Sequence, residues 1–219
     1  TGVQAQALTK NRFFDIDDLM PDGLYLAPNS LVDAWRSQLE LETVLAAHQH
    51  YTNDVILLDG PLLPFLKADG HEYQDEIGRI RDEFTRTMLA LKGAPIAGVV
   101  SGPQSRLILN LIKLADSHDP RALPKKGGIR DIHLMGYGLQ DGERSALFKH
   151  ASPRNQDLEA HDAGIYFFFM RVGREIMRVE IPQWVVKDLE MVDLIHASIL
   201  KGCVTVSYTH LRAHETKAN

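Results

Sequence analysis

The sequence predicts an α/β fold built around a parallel sheet, on three observations. Val55-Ile56-Leu57-Leu58 is an unbroken apolar run that ends on Asp59-Gly60-Pro61, the form of a buried strand delivering a carboxylate to a sheet edge. Ile96–Val100 is a second such run, and segments of helical periodicity precede and follow both. Ile165–Val172 and Glu175–Ile181 flank Gly173-Arg174 as the arms of a tight hairpin.

The elements follow in chain order. Residues 5–28, rich in Asp, Pro and Gly, read as a loop. Asn29-Ser30 offers a helix N-cap, and Leu31 to about His50 continues as a helix. Trp35, Leu39, Glu42 and Leu45 recur at i, i+4, i+7 and i+10 and share one face. After the Val55–Leu58 strand, Tyr73 to Leu91 forms a second helix, stopped by Lys92-Gly93-Ala94-Pro95. The Ile96–Val100 strand passes through Ser101-Gly102-Pro103 into a helix from about Gln104 to Ala115. Residues 116–130 read as a Pro/Gly/Lys loop, Ile132–Met135 as a strand, and Asp141 to Ala160 as a polar loop. Pro182 opens a last helix through Leu200. No internal repeat or interdomain linker interrupts the chain.

Bulk properties narrow the class. The chain is 44% hydrophobic and 24% charged, ordinary for a globular domain with one core. No apolar run approaches the roughly 18 residues of a membrane helix, so no membrane partner is expected. The single Cys203 cannot form an internal disulfide, which favours a reducing, cytoplasmic setting. A net charge of -5 does not separate nucleic-acid binders from others, because acids that hold a metal offset local basic patches. Thr205 to Thr216 matches, residue for residue, one reading frame of a transposase-type sequencing adapter, and Thr1–Gln4 resembles a frame of another. The expectation is therefore a metagenomic fragment cut at both ends: residues 1–204 carry a partial domain and 205–219 an adapter translation. Tyr208, His210 and His214 then carry no functional weight.

Two acids stand out. Asp59 closes a strand, where ligands of open α/β sheets bind. Glu42 lies seventeen residues upstream, in the apolar stripe of the first helix. A carboxylate there is costly to bury unless paired, protonated or metal-bound. Glu40 competes for the role, but Arg36 stands four residues before it and can pair with it on the solvent face. Two acids aimed at one sheet edge are the ingredients of a divalent-metal site. The bland alternatives remain open: Glu42 solvated at the edge of the stripe, and Asp59 serving only as turn chemistry before Gly60.

Other signals are weaker. Ser101–Arg106 opens a helix and could hold a phosphate on backbone amides, with Arg106 adding charge. Pro103 removes one donor, however, and an ordinary connection is the preferred reading. Arg171, Arg174 and Arg178 of the hairpin could face a nucleic-acid backbone, or Arg171 and Arg174 a solvated tip. His196 reads as a packing residue. His48 and His50, two apart, point to different sides of a helix. Cys203 has no partnered His to make it a nucleophile.

With these residues in view, the chain resembles the NurA nuclease family. The resemblance rests on the order and spacing of Trp35-Arg36-Ser37-Gln38-Leu39-Glu40-Leu41-Glu42, Leu57-Leu58-Asp59-Gly60-Pro61-Leu62, Ile96-Ala97-Gly98-Val99-Val100, Gly142–Phe148 and Arg178-Val179-Glu180-Ile181-Pro182. It implies an RNase H-like mixed sheet flanked by helices, incomplete at both ends. It also implies a Mn²⁺- or Mg²⁺-dependent DNA nuclease, homodimeric, acting with a HerA-type hexameric ATPase translocase in DNA end resection. Glu42 and Asp59 match the family's second and third acidic positions, as catalytic residues and metal ligands. Arg106, Arg174 and Arg178 are the candidate DNA contacts. The family's first acid, in an Asp-Gly-Ser motif, would lie upstream of this sequence. Its late Tyr-Pro…Ala-His motif falls where the adapter-like tail stands, and Tyr208…Ala213-His214 mimics it at too short a spacing without the Pro. Ser101 stands where many members carry Lys. The sequence is thus expected to lack part of its active site. Two rivals remain: a non-catalytic RNase H-like subunit binding DNA and a translocase, and a small-molecule enzyme using Ser101–Arg106 for a phosphorylated substrate.

Overall fold

A computed structural model of the chain describes residues 29–51, 54–63, 73–117 and 128–215, with side chains described as far as Cys203. The loop expected over 5–28 and most of the one over 116–130 lie outside the described residues. The elements are α1 (Asn29–His50), β1 (Ile56–Asp59), α2 (Gln74–Ala90), β2 (Ile96–Ser101) and α3 (Leu107–Ser117). They continue as α4 (Asp131–Gly138), β3 (Phe148–Lys149), α5 (Pro153–Glu159), β4 (Ile165–Val172), β5 (Glu175–Pro182), α6 (Gln183–Val186) and α7 (Leu189–Glu215).

The five strands form one sheet in the order β1-β2-β5-β4-β3. Only β1 and β2 run parallel, joined by the segment that carries α2 as a crossover. All other pairs are antiparallel. The parallel pair expected from strand–helix alternation is therefore β1 and β2, and the hairpin completes the mixed sheet: β5 docks directly on β2 and brings β4 with it through the two-residue turn at Gly173 (φ +60°). The result is a mixed sheet flanked by helices, of the RNase H-like type.

Alternation along the hairpin divides the core. Phe168, Met170, Met177 and Val179 join Val192, Ile195 and Ile199 of α7 in the main core. On the other face, Phe167, Phe169 and Ile176 pack with Ile108 of α3 and Met135 of α4. The three phenylalanines are at most 2% exposed. Each such burial stabilises the fold by roughly 1.5–3 kcal/mol. Leu31, Ala34 and Trp35 at the start of α1 pack on Ile77 and Ile80 of α2, whereas Leu41 and Val44 further along join the main core.

Three local expectations are overturned. Ile132–Met135 belongs to helix α4, not to a strand. A four-residue apolar run cannot distinguish the two by itself. Here Arg171 of β4 decides, because its Nη1 donates to the carbonyls of Gly136 (3.2 Å) and Leu139 (3.0 Å) and satisfies the end of the helix. The segment 141–160 is not all loop: it holds β3 and α5. The start of α5 was legible as Ser-Pro, since Ser152 Oγ accepts from Asn155 N (3.2 Å) and Pro153 takes the first helical turn. Asn155, fully buried, then donates to the carbonyls of His150 (2.7 Å) and Ile165 (3.0 Å), tying α5 to β4. The last helix is two, α6 and α7, separated where Asp188 Oδ1 accepts from Glu190 N and Met191 N and starts a new turn. Helix α7 runs on through the adapter-like residues to Glu215.

Gly98 in β2 marks where the chain crosses the sheet. A Cβ there would stand 2.5 Å from the Gly60 carbonyl oxygen and 2.7 Å from Leu62 N, both backbone atoms. Gly98→Ala is therefore expected to destabilise the fold by about 1–3 kcal/mol. A guanidinium midpoint indistinguishable from the parent would show that the crossing gives way freely.

Candidate functional site

Parallel pairing of β1 and β2 carries the ends of both strands, Asp59 and Ser101, to the same sheet edge. The hairpin turn reaches that edge too, because Ser101 pairs with Met177 near the start of β5. Asp59 is exposed, as is Leu57 (43%) on the same side of β1. The Gly60 amide donates to the Val99 carbonyl (3.0 Å), extending the sheet ladder past Asp59. The amide that follows Asp59 is thus used by the sheet, so the Asp59 side chain is not needed to cap it.

The helical acids sit differently from the expected stripe. The buried positions of α1 are Leu31, Ala34, Trp35, Leu41, Val44 and Ala47, while Leu39 and Leu45 are only half-buried. The phase turns because the two halves of α1 pack on different partners. Glu42 flanks the stripe, half-buried, and accepts from Gln38 Nε2 (3.1 Å). Glu40 is also half-buried. Burial pushes its carboxyl above the ordinary glutamate range; Arg36, 3.7 Å away, opposes this and the charge of Asp59 reinforces it. Glu40 is therefore an α1 acid that feels Asp59 directly, even though it also pairs with Arg36. Among the described residues, no three His, Cys, Asp or Glu side chains stand together as a metal cage. What this edge offers is hard oxygen donors from Asp59 and α1, a set suited to Mg²⁺ or Mn²⁺ completed by water and phosphate.

The arginines separate by environment. Arg178 is not a free DNA contact. Its side chain is 14% exposed and its Nη2 lies 2.8 Å from Oε1 of Glu180, itself 1% exposed. Residues two apart on a strand share a face, so the guanidinium turns inward to the buried acid. The missed signal was the Arg-Val-Glu alternation inside an apolar strand. Glu180 Oε2 also accepts from Leu63 N (3.2 Å). His150 completes this buried group: desolvation holds its imidazole below the ordinary histidine range, Glu180 pulling it up and Arg178 pushing it down. Arg171 is used on α4, as described above. Arg106 precedes α3, with its guanidinium near Gly128. Arg174 is exposed on the hairpin turn.

The Ser101–Arg106 turn is already occupied by an anion from within the protein. Buried Asp131 accepts from Leu109 N (3.1 Å) in the first turn of α3 and from Ser105 Oγ (2.9 Å). A phosphate there would meet a buried carboxylate, which disfavours the phosphorylated-substrate reading. His196 packs edge-on to Phe168, and burial raises the thiol pKa of Cys203, away from the nucleophilic thiolate. An open cleft of about 620 Å³ lies between α4 and the hairpin turn, lined by residues that include Ser101, His133, Tyr137, Arg174 and Ile176.

The family model for the NurA domain matches residues 15–206. Searches of curated proteins and of solved structures return no match.

Arg178→Ala is expected to cost about 3–5 kcal/mol of stability by leaving Glu180 buried without its partner. The salt dependence of DNA binding should stay unchanged; a shallower slope would make Arg178 a phosphate contact after all. His150 should remain neutral in the fold while the unfolded chain gains a proton below about pH 6.5. Stability is then full above that pH and declines as pH falls through it. His150→Phe should flatten this part of the profile, as read by urea midpoints from pH 7.5 to 5.

Proposed function

Because the chain belongs to the NurA family, a family of nucleases, we propose that the intact protein it represents hydrolyses DNA with a divalent cation held at the end of β1. Asp59 and Glu42 are its ligands in this reading. The observation that carries it is the position of Asp59, exposed and closing a strand at the sheet edge; of the α1 acids, Glu40 is the one on which the Asp59 charge acts. One or two carboxylates plus substrate phosphate suffice for Mg²⁺, and Mn²⁺ accepts the same oxygen donors. The bound cation would supply charge neutralisation at the scissile phosphate and a more acidic water. Asp59 would anchor the ion from the sheet, and Glu42, steadied by Gln38, would orient it from the helix.

The proposal extends to DNA end resection beside a HerA-type hexameric translocase, and to a homodimer. Exposed apolar side chains on α3, Leu111 at 53% and Ile112 at 50%, support a protein-facing surface. A cytoplasmic location fits a DNA substrate, and among the described residues no helix is long and apolar enough to cross a membrane.

Asp59→Ala should abolish Mn²⁺-dependent cleavage of linear DNA and weaken Mn²⁺ binding at least tenfold, with DNA affinity within twofold of the parent. Glu42→Gln should follow it, and Glu40→Gln should retain most activity. Cleavage at the parental rate by Asp59→Ala would sink the proposal. Loss of metal binding in Glu40→Gln but not in Glu42→Gln would transfer the helical ligand to Glu40. DNA and translocase binding by the parent, without metal uptake or cutting, would favour the non-catalytic subunit.

A further inference from the structure

Tyr137 is 95% exposed on α4, so its ring contributes almost nothing to the core. His133 lies four residues earlier, also exposed, and the two rings share one face of the helix. His133 Nδ1 accepts from Arg130 N (3.1 Å), which fixes the imidazole at the start of α4. Across the cleft stands Arg174 on the hairpin turn, with Ile132 and Ile176 supplying apolar wall and Glu175 an acid in the lining.

The two walls are held at a set separation. Arg171 Nη1 donates to Gly136 and Leu139 of α4, and its Nε donates to the Gly173 carbonyl (3.0 Å) of the turn. Asp141 Oδ1 accepts from Gly173 N (2.6 Å) and secures the turn from the α4 side. One guanidinium therefore braces both walls. Exposed rings beside a basic residue, on a rigid frame, form the stacking-and-charge surface that suits unpaired nucleotides. Arg130 and Arg106 add positive charge at the start of α4, where Arg106 lies beside Gly128. Bases inside a duplex are stacked on both faces, so Tyr137 is open to an unpaired base rather than to the interior of a duplex.

We infer that this cleft binds single-stranded DNA, with Tyr137 as the base-stacking platform and Arg174 as the phosphate contact. The inference rests on the nuclease reading for its direction. Strand spacing and rise put the backbones of Asp59 and Arg174 on the order of 20 Å apart in the plane of the sheet. Asp59 pairs through Val99 with Val179 of the main-core face, whereas the cleft opens on the α4 face, so a strand held at Asp59 would pass around the end of the sheet to enter the cleft.

The test is fluorescence anisotropy with a labelled oligo-dT and a matched abasic oligomer, in EDTA so that no cleavage occurs. The parent should bind oligo-dT more tightly than the abasic strand. Tyr137→Ala should lose about tenfold in oligo-dT affinity and abolish that preference, and Tyr137→Phe should keep both. Arg174→Ala should weaken both strands alike and reduce the salt slope by about 0.7. Thermal melts of Tyr137→Ala should match the parent, because the side chain is exposed.

Parental affinity in Tyr137→Ala, or equal binding of base-bearing and abasic strands by the parent, would overturn the inference. Tighter binding of oligo-U than oligo-dT would overturn its assignment to DNA. If the nuclease reading alone is wrong, the Tyr137-dependent preference survives with no Mn²⁺-dependent cutting. If the cleft alone is misassigned, Asp59-dependent cutting survives without that preference.

Discussion

A carboxylate sealed inside the sheet governs how this domain closes. Glu180 is 1% exposed, and burying its charge would cost several kcal/mol without compensation. Arg178 supplies the opposite charge and Leu63 N a hydrogen bond. The second partner comes from the chain just after β1. Satisfying Glu180 therefore obliges that chain to turn back across the sheet, over Gly98, where no side chain fits. The turn-back begins immediately after Asp59. The buried ion pair and the exposed candidate ligand are thus consequences of one path: the same bend that meets Glu180 leaves Asp59 at the edge.

Internal polar needs also decide which charges are left for a ligand. Arg178 is taken by Glu180, and Arg171 by the carbonyls of α4 and the hairpin turn. Asp131 is taken by the start of α3. Arg174 lies beyond these clamps, exposed at the sheet edge. An identical residue type thus does two jobs on one hairpin. Arginines drawn inward fix geometry, and the one at the turn meets solvent. The clamps matter to the surface as well, since α4 keeps its exposed rings in place through Arg171.

Most of the framework was legible locally. The strands at 56–59 and 96–101, the helix at 74–90 and the hairpin arise from apolar runs, periodicity and Gly-containing turns, all short-range signals. Helix α5 carried an equally local signal in Ser152-Pro153 that the polar composition around it obscured. Helix α4 carried none that was sufficient, because its end is satisfied by an arginine more than thirty residues away. The candidate site divides in the same manner. Asp59 could be found because a strand followed by an acid and Gly has a recognisable form. The choice between Glu40 and Glu42 could not, because a change of partner partway along α1 turns its inner face.

By itself, the sequence determined the α/β class, the strand that ends on Asp59, the hairpin and the family resemblance, since each depends on residues close together in the chain. Tertiary structure decided that Arg178 serves Glu180, that Asp131 fills the turn after β2, and that Tyr137 faces an open cleft. Each of these depends on which groups meet across long separations, where burial makes an unpaired charge or carbonyl too costly to leave and so selects the partner.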